Sequence, residues 1–103
     1  MTTDPLVTAM LPMLHRLCDG SVSIAIGGSR TKGSADRWSD LDVYLFSMTV
    51  RSRPGREALV STMLPNACEV SSWGCDDPFV EGGTDFTIDG IRVECWHRHE
   101  ASV

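Results

Sequence analysis

Alternating apolar and polar residues near the end of the chain predict a β-hairpin. Residues 84–88 and 91–96 flank Asp89-Gly90, a dipeptide that favours a two-residue type I′ turn. This short loop fixes the register and places Asp85 opposite Glu94. One face of the hairpin is apolar and is expected in the core: Phe86, Ile88, Ile91, Val93 and Cys95. The other face carries Asp85, Thr87, Arg92, Glu94 and Trp96.

Apolar residues at helical spacing predict a helix at the start of the chain. Asp4 is a suitable N-cap and Pro5 a suitable first residue, and one face is apolar through residues 6–18. Pro12 interrupts this pattern, because an interior proline removes a backbone hydrogen bond and clashes with the preceding turn. We therefore expect a kink or two short helices, with Gly20 as the stop.

The middle of the chain contains three short strand-like segments and a second helical pattern. Residues 22–26 and 41–46 are apolar enough to be buried strands, and residues 67–73 alternate weakly. A helix that opens at Pro54 and ends at Pro65 would bury Leu59, Val60, Met63 and Leu64. Residues 74–83 are expected to form a loop, because they contain Pro78 and the Gly82-Gly83 pair.

Length and composition indicate one soluble globular domain spanning residues 1–103. The chain is 42% hydrophobic and 22% charged, with neither a long apolar run nor a signal-peptide pattern at its start. Its four cysteines are scattered without a CxxC pair, which favours reduced thiols and a cytoplasmic location. The net charge of −5 argues against broad nucleic-acid binding. A triphosphate is still compatible, because metal ions and backbone amides can neutralise it locally.

The candidate chemistry lies between the two apolar strands. Gly27-Gly28-Ser29 follows the first strand, where glycines let the backbone approach a phosphate and a helix start favours an anion. Asp40 and Asp42 are two residues apart at the second strand, so both project from one face, where Mg²⁺ would relieve their repulsion. Taken singly, the glycines are typical of an ordinary turn and the aspartates of an exposed strand edge. Their joint spacing favours a metal and nucleotide site.

This combination resembles the signature of the DNA polymerase β-like nucleotidyltransferase superfamily. The resemblance rests on Gly27-Gly28-Ser29, Gly33 and Ser39-Asp40-x-Asp42, and it covers residues 24–46. It is closest to small bacterial members, such as aminoglycoside, lincosamide and minimal nucleotidyltransferases. With the order of elements, it implies an α+β fold with a small mixed β-sheet and helices packed on one side.

The resemblance also assigns roles to individual residues. Gly27, Gly28 and Ser29 would bind a nucleoside triphosphate, with ATP the expected one, and Asp40 and Asp42 would bind Mg²⁺. Ser39 would assist with phosphate, and Arg30 and Lys32 would lie beside it unless they belong to a solvated basic loop.

The family needs a third carboxylate on a later strand, as metal ligand and base for the attacking hydroxyl. The hairpin supplies Glu94 as the first choice and Asp85 as the second. A simple salt bridge with Arg92 is the structural alternative.

The implied activity is transfer of a nucleoside monophosphate to a hydroxyl of a small molecule or protein. Relatives that modify antibiotics carry a further C-terminal helical region, whereas this chain ends nine residues after Glu94. A homodimer or a helical partner protein is one way to complete the acceptor site. The alternative function is a regulatory, antitoxin-like module with little or no catalysis.

A third, weaker hypothesis is a zinc site formed by Cys68, Cys75, His97 and His99. Histidines so near a chain terminus, beside Arg98 and Glu100, are expected to be solvated instead. Trp38 and Trp73 could stack on a base, but packing within the protein is the more common role for tryptophan.

Overall fold

The chain forms a small α+β domain in which two helices accompany a five-stranded mixed sheet. The computed structural model describes residues 5–27, 40–75 and 81–100, without the side chain of Asp19. The elements in chain order are α1 (Pro5–Leu17), β1 (Cys18–Gly27), β2 (Leu41–Val50), α2 (Arg53–Met63), β3 (Ala67–Gly74), β4 (Gly82–Ile88) and β5 (Ile91–His99). Neither helix in the described ranges is long and apolar enough to cross a membrane.

The strands lie in the order β1-β2-β5-β4-β3, so the last strand occupies the centre of the sheet. β5 pairs parallel with β2 on one side and antiparallel with β4 on the other. The two outer pairs, β1 with β2 and β3 with β4, are antiparallel. A mixed sheet was expected, and the structure confirms it.

The predicted hairpin is confirmed in both register and burial. Ile88 pairs with Ile91 and Asp85 pairs with Glu94 across the β4–β5 turn. Asp89 and Gly90 have φ values of 51° and 80°, as a type I′ turn requires at both central positions. The expected core face is buried along its whole length, at Phe86, Ile88, Ile91, Val93 and Cys95.

The first helix passes through Pro12 and differs from the prediction at its end. α1 is a single element across Pro12, so the alternative of two short helices is wrong, while the alternative of a kink stays a prediction. Burial of one helix face offsets the cost of the proline, since Val7, Met10, Met13, Leu14 and Leu17 are all buried. Gly20 does not stop the helix but lies within β1 at φ +80°, where the register shifts between Asp19 and Val22. The glycine therefore serves a β-bulge.

The second helix is confirmed close to its predicted limits. Ser52 caps α2 by accepting a hydrogen bond from the Gly55 amide, and Pro54 lies in the first turn, where its missing N–H costs nothing. Val60 and Leu64 are buried as expected, while Leu59 and Met63 pack at the margin of the core.

The expected loop over residues 74–83 is wrong at both ends. Gly74 closes β3 at φ +67°, and Gly82 and Gly83 are the first residues of β4. The glycines are required by packing rather than by a turn. A Cβ at Gly82 would collide with the Trp73 carbonyl oxygen, and one at Gly83 would collide with the Trp73 indole.

The two faces of the sheet differ in what covers them. Leu41, Val43, Leu45, Val93 and Cys95 point to the face that joins the helices in one hydrophobic core. The intervening residues of β2 and β5, including Asp42 and Glu94, are half-buried on the opposite face, called here the open face. The helices thus pack on one side of the sheet, as expected.

Candidate functional site

A row of three carboxylates crosses the open face of the sheet. Asp42 on β2 pairs with Glu94 on β5, and Glu94 pairs in turn with Asp85 on β4. Paired residues on neighbouring strands project from the same face, about 4.8 Å apart in the hydrogen-bonding direction. Glu94 therefore lies between two carboxylates, and Asp85 is two strands from Asp42. We call Asp42, Glu94 and Asp85 the acidic row.

The row continues to β1 at Gly27, which pairs with Asp42. A Cβ at Gly27 would lie 3.1 Å from Cε2 of Tyr44, so the glycine leaves room for the tyrosine ring. Gly27 is thus placed beside the predicted metal ligand Asp42. The other predicted phosphate-binding residues, Gly28, Ser29, Arg30, Lys32 and Ser39, lie outside the described residues, as do Gly33 and Trp38.

Asp40 is exposed and lies one residue before β2 rather than on it. It nevertheless acts electrostatically on the acidic row, because it is one of the charges that raise the pKa of Glu94. Asp40 and Asp42, which are two residues apart in the sequence, therefore both raise the pKa of Glu94.

Burial and repulsion both perturb the acidic row. Desolvation raises the pKa of Glu94, and the neighbouring charges of Asp85, Asp42 and Asp40 raise it further, while Arg92 lowers it. Desolvation also raises the pKa of Asp85, again opposed by Arg92. Full ionisation of the three carboxylates is thus unfavourable, and a bound cation would relieve the repulsion between them.

Arg92 compensates the acidic row only in part. Its Nη1 donates to the Glu69 carbonyl at 3.3 Å and to Thr87 Oγ1 at 3.4 Å. Its charge lowers the pKa values of Asp85 and Glu94, which is the part of the salt-bridge alternative that the structure supports. One arginine faces two hairpin carboxylates, so negative charge is left over.

The acidic row is not a preformed cage for a metal. Within the described ranges, no three His, Cys, Asp or Glu side chains are grouped so that they could hold one ion. Asp42 and Glu94 supply carboxylate oxygens on adjacent strands, and Mg²⁺ is commonly held by one or two carboxylates together with substrate phosphates. The donor set fits a hard cation that arrives with a phosphate ligand.

An aromatic row runs beside the acidic row, two residues later on β2 and β5 and two residues earlier on the antiparallel β4. Tyr44 pairs with Trp96, and Trp96 pairs with Gly83, over which the Trp73 ring lies. The rings of Trp73 and Trp96 meet edge to face, with centroids 6.1 Å apart and planes at 81°. Trp73 packs against Trp96 and Gly83 on one side of its ring, and 45% of the residue is exposed. Sequence analysis did not predict this aromatic row, because it depends on pairing between strands that lie far apart in the chain.

A buried polar network lies on the opposite, helix-covered face and was not predicted. Arg56 is fully buried and donates to the carbonyls of Gly83 at 2.8 Å and Gly74 at 3.0 Å, and to Thr84 Oγ1 at 3.0 Å. Thr84 Oγ1 is also 2.8 Å from Nε2 of His97. This network ties α2 to the ends of β3, β4 and β5.

The expectation that His97 is solvated is wrong. Its side chain is fully buried, and desolvation together with the Arg56 charge lowers its pKa to about 3. The zinc hypothesis also fails, because Cys68 is exposed and pairs with Thr87 of the open face, whereas His97 lies on the covered face. Alternation from Ile91 onward, continued to residue 97, was the signal that places His97 in the core.

No protein-family model, curated protein or solved structure matches this chain.

Proposed function

We propose that this protein is a Mg²⁺-dependent nucleotidyltransferase that moves a nucleoside monophosphate from a nucleoside triphosphate to an acceptor hydroxyl. The observation that carries the proposal is the pairing of Asp42 with Glu94 on adjacent parallel strands. The resemblance drawn from the sequence requires a carboxylate on a later strand to join the one at the Asp40-x-Asp42 motif. Glu94 meets that requirement, and Asp85 is one strand further away.

In this proposal Asp42 and Glu94 hold the metal, with Asp40 adding charge from the edge of the site. Mg²⁺ would supply charge neutralisation at the phosphates and orient them toward the acceptor. The two carboxylates provide hard oxygen ligands, and the remaining positions are left to phosphate oxygens and water. The raised pKa of Glu94 is consistent with a row that binds a cation.

The phosphates would be bound where β1 ends. Gly27 lies beside Asp42, so the Gly27-Gly28-Ser29 segment begins next to the proposed metal ligands. The amides of Gly28 and Ser29 would donate to phosphate oxygens, and Arg30, Lys32 and Ser39 would add charge and a hydroxyl. An acidic protein can bind a polyanion in this way, because the neutralising groups are local.

The reaction exchanges a phosphoanhydride bond for a phosphodiester bond. The acceptor oxygen attacks the α-phosphorus and forms a new O–P bond, while the bond to the β-phosphate oxygen breaks and pyrophosphate leaves. The hydroxyl proton passes to a carboxylate of the acidic row. We assign this role to Glu94, which lies between Asp42 and Asp85 in the row.

Nucleotide binding gives the first test. Affinity for a non-hydrolysable ATP analogue, measured by calorimetry with and without Mg²⁺, should depend on the metal in the wild-type chain. Asp42→Asn and Glu94→Gln should each weaken the Mg²⁺-dependent part at least tenfold. Glu100→Gln is the matched control, since that exposed carboxylate lies outside the row. Equal affinities in all four proteins would refute the site.

Label transfer gives the second test. The chain is incubated with Mg²⁺ and α-labelled ATP, CTP, GTP or UTP, with a panel of hydroxyl-bearing small molecules or protein acceptors. Label on an acceptor or on the chain, lost in Asp40→Ala and Asp42→Asn, is the expected result. Metal-dependent nucleotide binding without transfer to any acceptor would contradict the enzyme and favour the regulatory module.

A further inference from the structure

The second half of β1, residues 22–27, is a regular and uncharged strand edge, whereas the first half contains Asp19 and a register shift. β1 is the first strand in the sheet order, and no described strand pairs with its outer side. From Val22 to Gly27 it pairs with β2 without a register shift, so its outward backbone groups are regularly spaced. This stretch contains neither a charged residue nor a proline. Such an edge is a template for pairing with another strand.

The register shift of the opposite edge interrupts the middle of its strand, whereas that of β1 lies between Asp19 and Val22 and leaves residues 22–27 regular. β3 is interrupted by a register shift between Cys68 and Ser71, and Glu69 in that shift is exposed and has a φ of 53°. A bulge and a charge are the usual devices that prevent edge-to-edge association. The contrast between the two edges is confined to residues 22–27 of β1, and this stretch is the part that is open to a partner strand.

The side-chain pattern of residues 22–26 in β1 is approximately palindromic around Ile24. Val22, Ile24 and Ile26 are β-branched, and Ser23 and Ala25 between them are small and neutral. A two-fold axis at Ile24 would pair Val22 with Ile26 of a second copy and Ser23 with Ala25 of that copy. Every cross-strand pair is then β-branched with β-branched or small with small, with no like charges facing each other.

The partial burial of the apolar β1 side chains also favours a second copy of the chain as the partner. Val22, Ile24 and Ile26 are only half-buried, whereas Leu41, Val43 and Leu45 of the neighbouring strand are fully buried on the same face. A second β1 would cover the three edge residues with their own counterparts. We propose that two copies of this chain associate through antiparallel β1 strands, forming one continuous ten-stranded sheet.

The size of this contact sets the expected affinity. A six-residue strand pair buries less than the roughly 1,200 Å² of a stable protein interface. We therefore expect a dimer in rapid exchange, with a dissociation constant on the order of 10–500 μM. This inference does not depend on the proposed enzymatic activity.

The first test is sedimentation equilibrium of the full chain from about 5 μM to 1 mM. Ser23→Lys with Ala25→Lys would place lysines opposite lysines at two places in the dimer, and both side chains are exposed in the monomer. This variant should raise the dissociation constant about tenfold or more. The control, Ser61→Lys with Thr62→Lys, adds the same charge at exposed positions of α2 and should leave it unchanged. A monomer throughout the range, or equal association in both variants, overturns the proposal.

The second test uses the register and does not rely on the lysine variant being folded. Ile24→Cys in a Cys68→Ser background places a thiol directly opposite its own copy, where Cβ atoms about 4.5 Å apart lie at the upper limit that a disulfide spans. Mild oxidation at 200 μM should give a covalent dimer. Ser61→Cys in the same background is the control and should remain monomeric. Failure of Ile24→Cys to cross-link faster than this control also overturns the proposal.

Discussion

Replacing Glu94 with glutamine should stabilise the metal-free protein, although Glu94 is proposed to be functional. Glu94 faces Asp42 on one side and Asp85 on the other, so the substitution removes two like-charge cross-strand pairs. Each such pair destabilises a sheet by about 0.2–1 kcal/mol, which gives a gain of roughly 0.4–2 kcal/mol. For a domain of this size, the melting temperature should rise by about 2–10 °C.

The sign of the pH dependence follows from the direction of the pKa shift. The pKa of Glu94 is raised in the folded state, so the folded protein holds this proton more tightly than the unfolded chain does. Its contribution to stability is therefore greatest at low pH and is lost as the pH rises through the ordinary and then the raised pKa. The advantage of Glu94→Gln should be present at pH 7 and disappear near pH 3.

The assay is thermal unfolding followed by circular dichroism, in low salt with a chelator, at pH 7 and pH 3. Glu100→Gln controls for the loss of one negative charge at an exposed position. Adding Mg²⁺ and a triphosphate should stabilise the wild type more than Glu94→Gln, because ligand binding to the folded state adds stability. If Glu94→Gln melts below the wild type at pH 7 without metal, the repulsion argument is refuted.

Three further predictions concern the covered face and the aromatic row. Arg56→Met should destabilise the fold by about 3 kcal/mol or more in urea unfolding, because carbonyls that Arg56 binds lose their donor inside the core; a change under 1 kcal/mol would contradict this. The lowered pKa of His97 means that the unfolded chain binds the proton first, so stability is lost as the pH falls from about 6.5 toward about 3, and NMR should find the imidazole neutral at pH 5. Titration of that imidazole near pH 6.5 would contradict its burial. Gly83→Ala should displace the Trp73 indole and change the near-ultraviolet circular dichroism, at a cost of about 1–3 kcal/mol in urea unfolding; an unchanged spectrum would contradict the contact.

Local sequence patterns were sufficient to predict strand pairing where a short turn sets the register. The Asp89-Gly90 loop fixes its own register, so the pairing of Asp85 with Glu94 was predictable from the sequence. The pairing of Asp42 with Glu94 was not, because 51 residues lie between them and no local turn sets a parallel register. The acidic row was therefore only half predictable.

Two core residues were missed because their polarity outweighed their position. Arg56 lies four residues before Val60 and eight before Leu64, on the face of α2 that is buried. His97 continues the alternation of Val93 and Cys95. His97 was expected to be solvated and Arg56 was given no place in the core, but Thr84 Oγ1 accepts a hydrogen bond from Arg56 and lies within hydrogen-bond distance of His97 Nε2 inside the protein.

The central position of β5 has a consequence for how the domain assembles. β5 is the only described strand that joins β1–β2 to β3–β4, so without it the sheet is two separate pairs of strands. Isolated two-stranded pairs are marginal in water, and the junction must therefore form for either half to persist. Asp42 and Glu94 are brought together by that same junction. During synthesis the acidic row cannot exist until β5 has emerged and inserted, so a chain that lacks β5 also lacks the pairing of Asp42 with Glu94.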